Sequence, residues 1–160
     1  MKVRTAAADE FEALWQIDQN CFPPGIAYAR EELRWYMQLP RAFTLVGETN
    51  HKIAGFVLAS IAKVNGKRGG GTKPAAVESV GHIITLDVLA KWRREGIGSK
   101  LLTQAEEKLR NEGCRTVLLE TGVDNESAIH FYEKHGYSVT RTLPRYYLES
   151  LDAFLMGKKL

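Results

Sequence analysis

Ile84-Thr85-Leu86-Asp87-Val88-Leu89-Ala90-Lys91-Trp92-Arg93-Arg94-Glu95-Gly96-Ile97-Gly98-Ser99 is the stretch that decides the fold. An apolar strand ends near Val88, a basic loop follows, and two glycines open a long helix. Gly96 and Gly98 lack the β-carbons that would keep a ligand off the backbone. The amides of Arg94, Glu95, Gly96, Ile97, Gly98 and Ser99 then point outward at a helix start, where free N–H groups and the helix dipole favour an anion. Arg93 and Arg94 add mobile positive charge, and a pyrophosphate is the natural ligand. A plain glycine-containing helix start behind a solvated basic loop fits the same residues. No Gly-Lys-Ser/Thr follows, so the turn is not a Walker loop, and the glycine spacing is not that of a dinucleotide fingerprint.

Downstream of this turn, residues 96–112 read as a helix. Ile97, Leu101, Ala105 and Leu109 recur every four positions as a buried stripe, and Gly113 caps the end. A strand at 116–121, a helix at 125–135 stopped by Gly136, and strands at 137–147 and 153–158 follow. Upstream lie strands at 2–6, 42–47, 52–62 and 80–88, with a Glu48-Thr49-Asn50-His51 turn. The run from Ile53 to Ala59 is nearly all apolar, which predicts cover on both faces. A helix at 9–21 takes Asp9 as its N-cap and sets Phe11, Leu14 and Trp15 on one face. Phe22-Pro23-Pro24-Gly25 breaks it, and a second helix covers 29–38. The glycine-rich stretch 65–73 reads as a mobile hairpin connection. The order β-α-α-β-β-β-α-β-α-β-β predicts an α/β (α+β) fold, a mixed sheet of about seven strands flanked by four helices.

A chain of 160 residues suits a single domain. The net charge of +3 is small, and the basic clusters at 63–68 and 91–94 read as a solvated loop and as part of the anion turn. No nucleic-acid partner is expected. Cys21 and Cys114 lie far apart without metal-ligand spacing and suit a reducing compartment. Neither a signal-peptide core nor a membrane-spanning run stands out, so a soluble cytoplasmic protein without membrane attachment is expected.

Arg93-Arg94-Glu95-Gly96-Ile97-Gly98 resembles the Arg/Gln-x-x-Gly-x-Gly/Ala signature of the GNAT superfamily of N-acetyltransferases, and the element order agrees across essentially the whole chain. The resemblance implies acetyl-coenzyme A as cofactor and no metal. Its pyrophosphate would sit on Arg94 to Ser99. Its pantetheine arm would lie along Leu86, Asp87 and Val88, whose backbone polarises the acetyl carbonyl.

Leu119-Glu120-Thr121-Gly122-Val123-Asp124-Asn125-Glu126-Ser127-Ala128-Ile129-His130-Phe131-Tyr132-Glu133 resembles the protein N-terminal acetyltransferases, including the ribosomal-protein alanine type. That resemblance implies Glu120 as general base, Tyr132 as general acid and cofactor contact, and Asn125 as a further cofactor contact. It also implies that Tyr146 and Tyr147, with Phe22 and Pro23 opposite, grip a peptide or protein N-terminus. His82 stands where some eukaryotic relatives carry a catalytic tyrosine and is a candidate auxiliary base. Plainer roles stand beside these: a solvated carboxylate for Glu120, helix packing for Tyr132, a structural hydrogen-bonded ring for His82. Tyr146 and Tyr147 should point to opposite strand faces, which puts at least one in the core. His51, His130 and His135 read as surface residues.

Two departures are present. The loop Leu89-Ala90-Lys91-Trp92 resembles the eukaryotic relatives, and the 65–73 connection is longer than the family's. The expected reaction is direct attack of a peptide α-amine on the acetyl thioester by a monomer or weak homodimer. A small-molecule amine acetyltransferase of the same fold is the alternative. A non-catalytic acyl-coenzyme A sensor is a further one, against which Glu120 and Tyr132 together argue.

Overall fold

The computed structural model describes residues 1–65, 77–148 and 150–160. Among them seven strands form one sheet: β1 (Lys2–Thr5), β2 (Phe43–Thr49), β3 (Lys52–Asn65), β4 (Val77–Val88), β5 (Thr116–Gly122), β6 (Ser138–Tyr147) and β7 (Leu151–Lys159). Their order is β1-β2-β3-β4-β5-β7-β6. β4 and β5 run parallel and the other neighbours antiparallel, so the sheet is mixed as predicted. Four α-helices cover it: α1 (Phe11–Cys21), α2 (Arg30–Met37), α3 (Ile97–Asn111) and α4 (Glu126–Lys134).

The apolar periods read from the sequence place these layers. Leu101, Ala105 and Leu109 of α3 are fully buried with Ile97 beside them, against Val57, Ala59, Ile83 and Val117. Each buried leucine contributes about 2 kcal/mol, which fixes α3 and hence the turn before it. On the opposite face Leu14, Ile17 and Leu33 of α1 and α2 pack on Val46, Phe56 and Leu58. β3 therefore has both faces covered, as its apolar run requires. Gly113 (φ 91°) and Gly136 (φ 93°) end α3 and α4 in the left-handed conformation.

Several boundaries differ from the sequence reading. Asp9 is not an N-cap. Ala8–Glu10 forms a 3-10 turn, and α1 begins at Phe11. Glu10 takes the capping role because Arg4 holds its carboxylate with two bonds of 2.9 and 2.8 Å, and the same carboxylate accepts Ala7 N–H at 2.7 Å. β3 and β4 are longer than expected and pair as far out as Asn65↔Val77. The predicted glycine-rich connection lies, from residue 66, outside the described residues. No helix among the described residues is long and apolar enough to cross a membrane.

Candidate active site

β4 and β5 pair only from Val80↔Thr116 to Ile83↔Leu119. Beyond that point each stays bonded to its other neighbour, β4 to β3 as far as Val88↔Gly55 and β5 to β7 as far as Gly122↔Ala153. The sheet opens into a wedge between residues 84–88 and 120–122. A register shift between Leu58 and Ala59, which leaves Ile84 unpaired with β3, lies where the strands part. Leu89 N–H bonds the Ala54 carbonyl at 2.9 Å. The alternation of an antiparallel ladder therefore turns the amides of Leu86 and Val88 away from β3 and into the wedge.

At the mouth of the wedge the chain turns into α3. Arg94 (φ 65°) and Gly96 (φ 82°) both take the left-handed conformation. Lys100 N–H is bonded to the Gly96 carbonyl at 3.0 Å, so the amides of Ile97, Gly98 and Ser99 have no partner within the helix. Gly96 is required by its backbone angle, since a β-carbon there would meet nothing within 4 Å. A β-carbon on Gly98 would meet the Phe131 ring at 3.5 Å and Val88 at 3.6 Å, so that glycine sits in the seam between α3, α4 and the end of β4. Arg93 is tethered rather than mobile, because its Nε donates to the Val88 carbonyl at 2.8 Å. Glu95 is exposed beside Arg94. Asn125 caps α4, its Oδ1 accepting Ala128 N–H at 3.2 Å. An unpaired strand edge ending at a helix start fits acetyl-coenzyme A: the edge suits its amide-bearing arm and the helix start its pyrophosphate.

Glu120 and His82 meet at the base of the wedge. His82 pairs in register with Leu118, which puts Glu120 one alternation further along the same face. Their Nε2 and Oε2 atoms are 2.7 Å apart, with side-chain exposures of 33% and 18%. Leu119 between them is core, so Glu120 points to the side away from α3.

Tyrosines surround this pair. Tyr28 Oη donates to the Ile84 carbonyl at 3.4 Å, and the Tyr28 ring stands edge-on to Tyr36 with centroids 5.4 Å apart. Burial, and then the charge of Glu120, pushes the Tyr146 phenol up to about 12. Tyr147 is raised by burial, by Tyr146 and by Glu120. Tyr132 is 8% exposed, and its phenol is raised by burial, then by Asp87 and Tyr147. The phenols of Tyr132, Tyr146 and Tyr147 stay neutral proton donors at physiological pH.

Tyr146 and Tyr147 do not lie on opposite faces, and neither is core. Arg145 takes φ 53° within a register shift between Leu143 and Tyr147, so the regular alternation fails and the two rings stand edge to face with centroids 4.8 Å apart. The α1–α2 loop approaches from the other side. Gly25 has no room for a β-carbon because Leu148 of the β6–β7 turn occupies that position. Phe22 is half-buried and Pro23 exposed in the same loop. Of the surface histidines, His51 and His130 are exposed, but His135 is half-buried, its ring bonded to the Phe131 carbonyl at 2.7 Å.

Sequence reasoning missed two features here. Tyr28 and Tyr36 stand near Tyr146 and Tyr147 without any motif to mark them. Asp18 and the Asp87 side chain are buried together between α1 and β4. A signal existed: Asp18 falls four residues after Leu14 on the apolar face of α1, and Asp87 stands between two apolar residues.

The pattern of the acetyltransferase (GNAT) family matches residues 11–137. The chain is 32% identical over 127 residues to N-alpha-acetyltransferase 30 of Schizosaccharomyces pombe, covering 79% of this chain and 78% of that one. It is 30% identical to an N-alpha-acetyltransferase of Sulfurisphaera tokodaii over 99% of this chain and 93% of the other. Among solved structures, Ard1 of Thermoplasma volcanium superposes with a TM-score of 0.79 at 25% identity, covering 99% of this chain and 97% of that one.

Proposed function

The chain belongs to the acetyltransferase (GNAT) family, and on that premise we propose that this acetyl-coenzyme A-dependent N-acetyltransferase acts on the α-amine of a peptide or protein N-terminus. The observation that carries the reading is the His82–Glu120 pair at 2.7 Å, lying where the wedge meets a slot of tyrosines. The two relatives named as N-alpha-acetyltransferases support it. Residues 1–160 act as one domain in this reading, and the cytoplasm, as monomer or weak homodimer, is its place of action.

Acetyl-coenzyme A, when bound, supplies the acetyl thioester. The chain's own groups do the rest. The amides at the start of α3, with Arg94, hold the pyrophosphate, and the edge of Leu86 and Val88 holds the pantetheine arm. The Val88 amide donates to the acetyl oxygen as charge develops there. The amine nitrogen forms the new C–N bond while the C–S bond breaks. Glu120, oriented by His82, takes the proton the amine gives up, and Tyr132 gives its hydroxyl proton to the departing sulfur. A peptide α-amine titrates at roughly 7.7–8.0, so a modest base suffices. A lysine amine at about 10.4 needs far more help.

Phe22 and Pro23 on one side, with Tyr146 and Tyr147 on the other, form a narrow, partly apolar slot. A chain end enters it. An internal lysine carries chain on both sides and meets the walls. A thiol-release assay with acetyl-coenzyme A against free N-terminal peptides and small amines tests the reading. Turnover on peptides supports it, and turnover on polyamines or amino acids alone moves the protein to the small-molecule class.

A further inference from the structure

Asp18 of α1 is fully buried and Asp87 of β4 is 1% exposed, their carboxyls within hydrogen-bonding reach of each other. One oxygen of each is occupied. Asp18 Oδ2 accepts Tyr28 N–H at 2.7 Å, and Asp87 Oδ1 accepts the Thr85 hydroxyl at 2.5 Å. The other oxygen of each, Asp18 Oδ1 and Asp87 Oδ2, is buried without a partner. Two adjacent buried carboxylates, both ionised and each with an orphan oxygen, are strongly disfavoured. A single proton between the orphan oxygens satisfies both and gives a short, charge-assisted O–H···O bond.

We propose that Asp18 and Asp87 share one proton, and that this pair is a positioning element that holds the α1–α2 loop, and with it the acceptor slot, against β4. The linkage is short. Asp87 precedes Val88, whose amide faces the wedge. Asp18 receives the backbone N–H of Tyr28, and Tyr28 stands near Tyr146 and Tyr147 and reaches back to the Ile84 carbonyl. Phe22 and Pro23 lie on the chain between the two fastened points, Asp18 and Tyr28. Losing the shared proton leaves two like charges facing each other, and their repulsion pushes Asp18, with the Tyr28 N–H it holds, away from β4, so the slot loses one wall.

The groups facing the pair leave the proton between the two aspartates. From α1, the Cys21 thiol is pushed up to about 11 by burial and then by Asp87, and it stays neutral. From the loop and from α4, the Tyr28 and Tyr132 phenols are raised by burial and stay neutral too. From α2, Glu32 adds a negative charge that opposes ionisation of Asp18. After β4, the Arg93 guanidinium favours one residual negative charge on Asp87. Burial, then the neighbouring carboxyl, holds Asp87 well above the ordinary carboxylate range.

The role in the slot rests on the acceptor reading above, but the shared proton does not, and the experiment separates them. Infrared difference spectra of aspartate-labelled full-length protein at neutral pH should show a protonated carboxyl band that disappears in Asp18→Asn. An absent band, or one unchanged in Asp18→Asn, overturns the shared proton. Asp18→Asn keeps both bonds, because its oxygen accepts Tyr28 N–H and its amide donates to Asp87. The ratio of wild-type to Asp18→Asn acceptor KM should therefore rise with alkaline pH. Asp18→Ala should raise acceptor KM about tenfold, the loss of one hydrogen bond to a charged group, with a smaller effect on kcat and on the KM for acetyl-coenzyme A. If Asp18→Ala does not fold, the Asp18→Asn comparison still decides. A band present as expected, with acceptor KM ratios flat in pH, overturns the positioning role alone.

Discussion

His82 Nε2 lies 2.7 Å from Glu120 Oε2, across two parallel strands that stop pairing one residue beyond His82. The two side chains converge because the strands are still in register at Leu118 and Leu119, and they open onto the wedge because the register then ends. A carboxylate bonded to an imidazole is a proton acceptor with a fixed orientation.

If the pair works as one base, its members are not additive. His82→Gln and Glu120→Gln should each lower kcat by about 10²-fold, the usual range for general acid–base groups, and the double variant should fall little further. A double-mutant cycle on kcat checks this. Multiplicative losses would separate the two roles and leave His82 with only a structural one.

Tyr132→Phe keeps a ring that packs beside Tyr137, at 5.6 Å between centroids, and removes only the hydroxyl. The thermal midpoint should barely move while kcat falls about 10²-fold. Normal turnover at saturating substrate would leave Tyr132 as core packing.

The two glycines of the turn should respond differently. Gly96→Ala forces an L side chain into φ 82° and should cost about 1 kcal/mol of stability. Gly98→Val adds methyl groups beyond a β-carbon that would already touch Phe131 at 3.5 Å and Val88 at 3.6 Å, crowding the seam of α3, α4 and β4 where the cofactor is expected. It should weaken coenzyme A binding by tenfold or more, within the usual cost of overpacking. Calorimetric titration with coenzyme A, beside thermal melts, distinguishes the two effects.

The aspartate pair gives stability a definite sign with pH. The pair holds its shared proton more tightly in the folded chain than a carboxyl does at the ordinary value of 3.8. Below 3.8 the folded and unfolded chains are both protonated and this contribution is complete. As pH rises, the unfolded chain releases the proton first, so stability is lost up through the folded value of the pair. Asp18→Asn carries no such proton. Its thermal midpoint, relative to wild type, should climb as pH rises, and a constant difference would remove the linkage.

Much of this is legible in the sequence. The four-residue stripe of α3, its glycine start and its Gly113 end follow from periodicity and capping, and they place the turn before α3. Glu120 at a strand end and Tyr132 one helix later follow from a local motif. What pairs with them does not. His82 and Glu120 are 38 positions apart, and only the β4–β5 register brings them together. The Tyr146–Tyr147 contact depends on a left-handed Arg145 that strand alternation does not anticipate. Asp18 and Asp87 each read as polar residues inside apolar elements, and only their burial side by side turns two anomalies into one feature.

The slot makes a prediction of its own. Tyr146, 48% exposed, and the half-buried Tyr147 stand near Glu120. Tyr146→Ala and Tyr147→Ala should raise peptide KM while leaving coenzyme A affinity intact. Steady-state kinetics with varied peptide, beside coenzyme A titration, checks this. Loss of coenzyme A binding in either variant would merge the two sites.

One comparison tests the central claim most directly: kcat/KM for a peptide with its α-amine free, against the same peptide α-blocked and carrying one internal lysine. An α-amine acetyltransferase with this slot predicts that the free α-amine is strongly preferred and that spermidine is poorer still. Equal values for the two peptides, or a clear preference for spermidine over both, would contradict it.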